Sequence, residues 1–115
     1  MLAKHLEVTL RYQAGIAIID LQGEINASAD ETLKPAYEEA VRVNPKAVLL
    51  NMTKVEYINS TGMAILVELL AQAYQANHHL AACGLSSHYL EVFQIIRMTD
   101  YMEIFADEAS ALNKL

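Results

Sequence analysis

The segment Tyr57-Ile58-Asn59-Ser60-Thr61-Gly62-Met63-Ala64 sets two hydroxyls and a glycine where an apolar strand exit runs into a helix. A hydroxyl at a helix start has two uses. It caps the helix by accepting from a free backbone N–H. Being exposed, it can also carry a phosphate that faces free amides and the positive end of the helix dipole. A phosphate placed there adds about two negative charges without melting the helix, so it alters the surface rather than the fold. In the plainer use Asn59 or Ser60 is an N-cap and Gly62 eases the turn.

The other candidates are weaker. His78 and His79 are neighbours, so in a strand they point to opposite faces and cannot easily share a metal. His5 stands alone, and His88 follows two serines on an exposed first turn. Glu31, Glu38, Glu39, Glu68 and Glu91 read as solvated helix surface, with no two environments that would push two carboxyl pKa values apart. The chain has no phosphate loop, no dinucleotide glycine pattern and no nucleophile elbow. No nucleophile, base and orienter can be assigned, so the chain is expected not to be an enzyme and to need no cofactor or metal. Cys83 is the only cysteine, which excludes an intrachain disulfide. Its run, Leu80-Ala81-Ala82-Cys83, marks it as a small core residue.

Composition narrows the partners. The formal net charge is -6, and no two of the eight Lys and Arg residues are adjacent. Nucleic acid and anionic membrane both require clustered basic residues, so neither is expected. A hydrophobic fraction of 54% in 115 residues supports one folded domain, residues 1–115. The N-terminus lacks a signal-peptide stretch, and no apolar run approaches the ~20 residues of a membrane span. A cytoplasmic protein without membrane insertion is expected.

The elements that must position the hydroxyl segment follow from periodicity. Glu7 to Tyr12 alternates weakly, and Ala14 to Leu21 is a stronger strand, followed by a turn signal at Gln22-Gly23-Glu24. Ser28-Ala29-Asp30-Glu31 has the pattern of a capping box. The helix it opens carries Leu33, Ala36, Tyr37, Ala40 and Val41, with Pro35 as a point of strain before Asn44-Pro45 ends it. Ala47 to Leu50 reads as a buried strand, then Asn51 to Ile58 as a mixed polar segment. The second helix has the stripe Ile65, Leu66, Leu69, Leu70 and Ala73, with Tyr74 beside it. His79 to Cys83 is another strand. Ser86 or Ser87 caps a third helix, on which Tyr89, Val92, Phe93 and Ile96 share a face. Thr99-Asp100 ends it, Tyr101 to Phe105 is a last short strand, and Asp107 to Leu115 a terminal helix. Alternation of this kind implies an α/β domain with largely parallel pairing. Ile18, Leu49, Leu50, Ile65, Leu69 and Phe93 are its expected core.

Gly23-Glu24-Ile25-Asn26, Ala47-Val48-Leu49-Leu50-Asn51 and Tyr57-Ile58-Asn59-Ser60-Thr61-Gly62, in this order and context, resemble the STAS domain family, in particular its anti-sigma factor antagonists. The resemblance covers nearly the whole chain. It implies a mixed, mostly parallel sheet of four to five strands, with about four helices packed largely on one face. It also implies a switch. The unphosphorylated protein binds an anti-sigma factor that is a serine kinase, which frees a sigma factor. Phosphorylation of Ser60 breaks the complex, with Thr61 the second candidate, and a phosphatase is a further expected partner. Gly23, Glu24, Asn26, Asn59, Ser60, Thr61, Gly62 and Met63 are the expected contact surface. The chain departs from the family at two points: Asn59 stands where Asp is usual, and Asn26 where Asp is frequent. The alternative within the family is a STAS subunit or scaffold of a transport or signalling assembly that is never phosphorylated.

Overall fold

A computed structural model describes residues 5–115. Two strands come first, β1 (Glu7–Gln13) and β2 (Ile16–Ile25). Ala14 and Gly15, both at positive φ, form the two-residue link between them. Two such residues give the turn whose twist matches an antiparallel hairpin. Helix and strand then alternate: α1 (Ala29–Val41), β3 (Ala47–Ile58), α2 (Ser60–Gln75), β4 (Leu80–Cys83), α3 (Ser87–Ile95), β5 (Glu103–Phe105) and α4 (Glu108–Lys114), with a single 3-10 turn at Met98–Asp100. The sheet order is β1-β2-β3-β4-β5. Among the described residues only the β1–β2 pair is antiparallel.

Side chains alternate across the sheet, as the two-residue period of a strand requires. Ala17, Ile19, Leu21, Val48, Leu50, Leu80 and Ala82 face the larger core, against Leu33 and Tyr37 of α1, the α2 stripe and Phe93 of α3. Ile16, Ile18, Leu49, Ala81 and Cys83 face the other way, against Ala111 of α4. Three helices therefore share one face and α4 alone covers the other. All six residues expected in the core are buried.

Four local expectations are corrected. Gln22-Gly23-Glu24 is not a turn: β2 runs through it, and β3 gains an extra residue opposite Asp20/Gln22 and another opposite Gly23/Glu24. Such bulges bend and twist a strand without ending it. Gly23 sits at φ 105, where a Cβ would lie 2.5 Å from the His5 carbonyl oxygen, so only glycine fits. The mixed polar segment Asn51 to Ile58 is a continuation of the strand, because it pairs with β2 on either side of the two bulges. The capping box at Ser28 does not form, and Ser28 is already helical in φ and ψ. Asn26 takes its place: its Oδ1 accepts from the Ser28 amide at 3.0 Å and the Ser28 hydroxyl at 2.8 Å. Finally, only Phe93 of the expected α3 face is fully buried. Ile96 lies beyond the helix end, before a left-handed Arg97, and is 43% exposed.

Pro35 is accommodated without a break. It is exposed, as is Glu31, so the Glu31 carbonyl that loses its partner can be hydrated. At the C-terminal end Asp107 caps α4, its Oδ1 accepting from the Ser110 amide at 2.8 Å. That bond holds the Asp107 carboxyl below its ordinary range.

Candidate functional site

β2 and β3 run parallel, so both end at the same edge of the sheet. Ile25 pairs with Ile58 as the last residues of their strands. The chain leaves β2 at Asn26 and β3 at Asn59, and the two exits touch. The Asn59 amide donates to the Ile25 carbonyl at 3.1 Å. Sites of open α/β sheets lie at such strand ends.

Asn59 is the N-cap of α2. Its backbone is extended, its Oδ1 accepts from the Gly62 amide at 2.8 Å, and its carbonyl accepts from Met63 at 2.8 Å. Of the first four amides of α2, which no helix can satisfy internally, Asn59 and Gly62 are thus bonded. Those of Ser60 and Thr61 have no partner within the helix. Ser60 is the first helical residue, it is exposed, and its hydroxyl takes no part in the cap. Thr61 is exposed beside it.

Gly62 is the contact that seats the helix start on the strand end. It is buried, and a Cβ there would lie 1.9 Å from the Ile25 carbonyl oxygen and 3.0 Å from the Asn26 amide nitrogen. Its ψ and φ are ordinary helix. The requirement for glycine is the close approach of two backbones.

The structure brings all eight sequence-proposed positions to this one edge or its approach. Gly23 and Glu24 lie in the last turns of β2 pairing, Glu24 half-buried opposite Tyr57. Asn26 holds the start of α1 as described above. Met63 is half-buried and packs partly on the core, so less of it faces outward than of Ser60 or Thr61. Tyr57, at 53% exposed, is an apolar surface residue next to the edge that the sequence reading did not include. Both asparagines use Oδ1 as an acceptor, a role that a carboxylate oxygen fills equally well. Asn in place of Asp therefore keeps both caps and removes two negative charges.

Another residue was missed. Tyr89 of α3 places its hydroxyl against Ile58: the Ile58 amide donates to it at 2.8 Å, and it donates to the Ile58 carbonyl at 3.3 Å. In the sequence Tyr89 shows only helical periodicity. A partner 31 residues away leaves no local signal.

The principal polar cluster elsewhere lies on the α4 face. Arg11 binds both oxygens of Asp20, at 2.6 and 3.0 Å, and also Glu108 of α4. Asn51 donates to Glu108 at 3.1 Å. Arg11, Asp20 and Asn51 border a groove of about 440 Å³ with Thr9, Gln22 and Lys54. The Asp20 hydrogen bond, then that of Glu108, raises the Arg11 pKa still further. One guanidinium shared by two carboxylates ties α4 to β1 and β2, and Asn51 ties it to β3. No group of three or more His, Cys, Asp or Glu among the described residues is placed to hold a metal.

Comparison with known proteins matches the STAS domain over residues 7–111. The chain belongs to the STAS domain family. A Listeria monocytogenes relative, an anti-sigma-B factor antagonist, is 32% identical over 87 residues, which is 75% of each chain. An anti-sigma factor antagonist of Mycobacterium paratuberculosis has the same fold, with a TM-score of 0.79 at 17% identity over 97% of both chains. The Bacillus cell fate determinant SpoIIAA, solved in a phosphorylated form, superposes with a TM-score of 0.72 at 16% identity, covering 94% of this chain and 98% of that one. At these identities the structures speak for the fold alone. Several sequence relatives of this domain are anti-sigma factor antagonists, which are regulators. No helix among the described residues is long and apolar enough to cross a membrane.

Proposed function

We propose that this STAS domain is an anti-sigma factor antagonist that works as a phosphorylation switch in the cytoplasm. Unmodified, it binds an anti-sigma factor that is also a serine kinase, through Gly23, Glu24, Asn26 and the turn Asn59 to Met63. Phosphorylation of Ser60 releases it, and a phosphatase restores it. The domain itself turns nothing over.

The observation that carries this reading is the division of labour at the start of α2. Asn59 caps the helix, so the Ser60 hydroxyl is exposed and has no structural duty. A phosphate on it meets the free amides of the first turn and the positive end of the dipole, and the fold is kept. At the centre of a contact the same phosphate must be desolvated without a prepared partner, so binding is lost.

Ser60→Asp and Ser60→Ala test it against the anti-sigma factor recovered with the protein from its native cell. Both variants should keep the parental melting curve. Ser60→Ala should bind as the parent does and stay bound in the presence of ATP. Ser60→Asp should bind more weakly by about 2 kcal/mol, roughly thirtyfold in Kd. Parental affinity in Ser60→Asp, with no phosphate found on Ser60 in cells, would replace the switch by a constitutive STAS subunit. What favours that second reading is the departure from the family pattern at Asn59 and Asn26, where Asp is usual or frequent.

A further inference from the structure

β3 outruns its neighbour. β4 pairs with it only from Val48 to Asn51, yet β3 continues to Ile58. Over its last residues β3 has β2 on one side and no strand on the other. Backbone groups aimed at the empty side must find other partners, and Ile58 is only 5% exposed, so water cannot serve freely. The Tyr89 hydroxyl meets both needs of Ile58 at once, accepting from its N–H and donating to its carbonyl. One side-chain oxygen stands in for the missing strand.

Tyr89 is itself well held. Its amide donates to Ser86 Oγ at 3.2 Å in the α3 cap, and its ring packs against the main core and edge-on to His88 at 4.8 Å. The residue after Ile58 is Asn59, which is bonded to Ile25 and caps α2. The chain of contacts is short: α3, Tyr89, Ile58, Asn59, Ser60.

We propose that Tyr89 is the positioning residue of the Ser60 turn, its hydroxyl coupling α3 to the way Ser60 is presented. This rests on the reading of that turn as the working surface. Without the hydroxyl, Ile58 keeps two buried polar groups unpaired unless it moves outward. Moving outward draws Asn59 away from Ile25 and loosens the cap on Gly62. Coupling is reciprocal, so a change at Ser60 must also be felt at α3.

Amide exchange by NMR on the full chain tests this, comparing the parent, Tyr89→Phe and the control Leu112→Ala on the opposite face. In Tyr89→Phe the amides of Ile58, Asn59 and Gly62 should exchange about tenfold faster, while Ile18 stays at the parental rate; Leu112→Ala, which packs on the cluster of Ile18, should do the reverse. Uniform acceleration across the domain, or none at Ile58, would overturn the proposal. A second measurement starts from Ser60. Ser60→Asp should shift the backbone resonances of Leu90 to Phe93 in the parent, and this response should vanish when combined with Tyr89→Phe. Shifts confined to the 59–64 turn also overturn the coupling. Neither readout requires a partner, so absence of phosphate on Ser60 in cells would remove the proposed switch and leave the exchange result standing.

Discussion

Gly62→Ala sets two effects of opposite sign against each other. In an exposed helix the change is stabilising by about 0.8–1.0 kcal/mol, because alanine is the better helix former. Here the new Cβ would lie 1.9 Å from the Ile25 oxygen and 2.4 Å from the Ile25 carbon. Relief to 3.0 Å, the nearest that real Cβ atoms come, means moving the helix start or the strand end by the difference, about 1.1 Å. Neither side is free to yield. Ile25 is locked into register with Ile58, and its carbonyl accepts from Asn59. Asn59 in turn holds the Gly62 amide at 2.8 Å. Overpacking against a fixed backbone costs about 1–3 kcal/mol, and loss of the Asn59 cap about 1 kcal/mol more. The clash wins, with a net destabilisation of about 1–3 kcal/mol once the propensity gain is deducted.

Urea unfolding followed by circular dichroism measures it. With a slope of about 1–2 kcal/mol per molar for a domain of this size, the midpoint should fall by roughly 1 M. A midpoint raised by the amount that helix propensity alone predicts would refute the reasoning. It would mean that α2 is not seated on the end of β2.

Two further outcomes follow from burial. Leu69 is fully buried in the α2 stripe, so Leu69→Ala should cost about 2–5 kcal/mol in the same titration; an unchanged midpoint would show the stripe to be wrongly phased. Cys83 is fully buried, and desolvation first, then the nearby Glu108 and Asp107, pushes its thiol from 9.0 up to about 11. The native protein should therefore resist iodoacetamide at pH 8 and react at the unfolded rate only in urea. The same shift means that this group's contribution to stability is complete below pH 9.0 and is lost as the pH rises towards about 11.

What was legible in the sequence was what depends on near neighbours. The α2 stripe, the buried strands and the cap of α2 each involve residues within a few positions of one another; periodicity places the first two, and capping chemistry narrows the third to Asn59 or Ser60. The failures are of two kinds. At Ser28 two local solutions compete, and Asn26, two residues upstream, takes the Ser28 amide and hydroxyl before a capping box can form. At Gly23 the turn chemistry is real, but the ladder to β3 overrides it, and the glycine serves a close approach to the His5 carbonyl instead. Tyr89 and Ile58 could not have been paired from periodicity, because their contact is set by how far β3 outlasts β4.

The Ser60 turn has the separation of roles that the proposed switch needs. A residue that both caps a helix and accepts a phosphate confounds two jobs, because modification would remove the cap as it adds the charge. Here the jobs are separated by one position. Asn59 provides the acceptor for Gly62, Gly62 provides the close approach to Ile25, and Ser60 provides a hydroxyl on which neither depends. Exchanging a carboxylate for an amide at the cap preserves the acceptor, so the geometry of the turn is indifferent to Asn or Asp. The electrostatics are not. A carboxylate beside Ser60 would repel a phosphate placed there, and the amide does not. In the proposed switch, a phosphate on Ser60 would therefore be less strained by the cap than it would be with Asp at that position. The difference lies in how readily the modified form persists rather than in whether the turn can form.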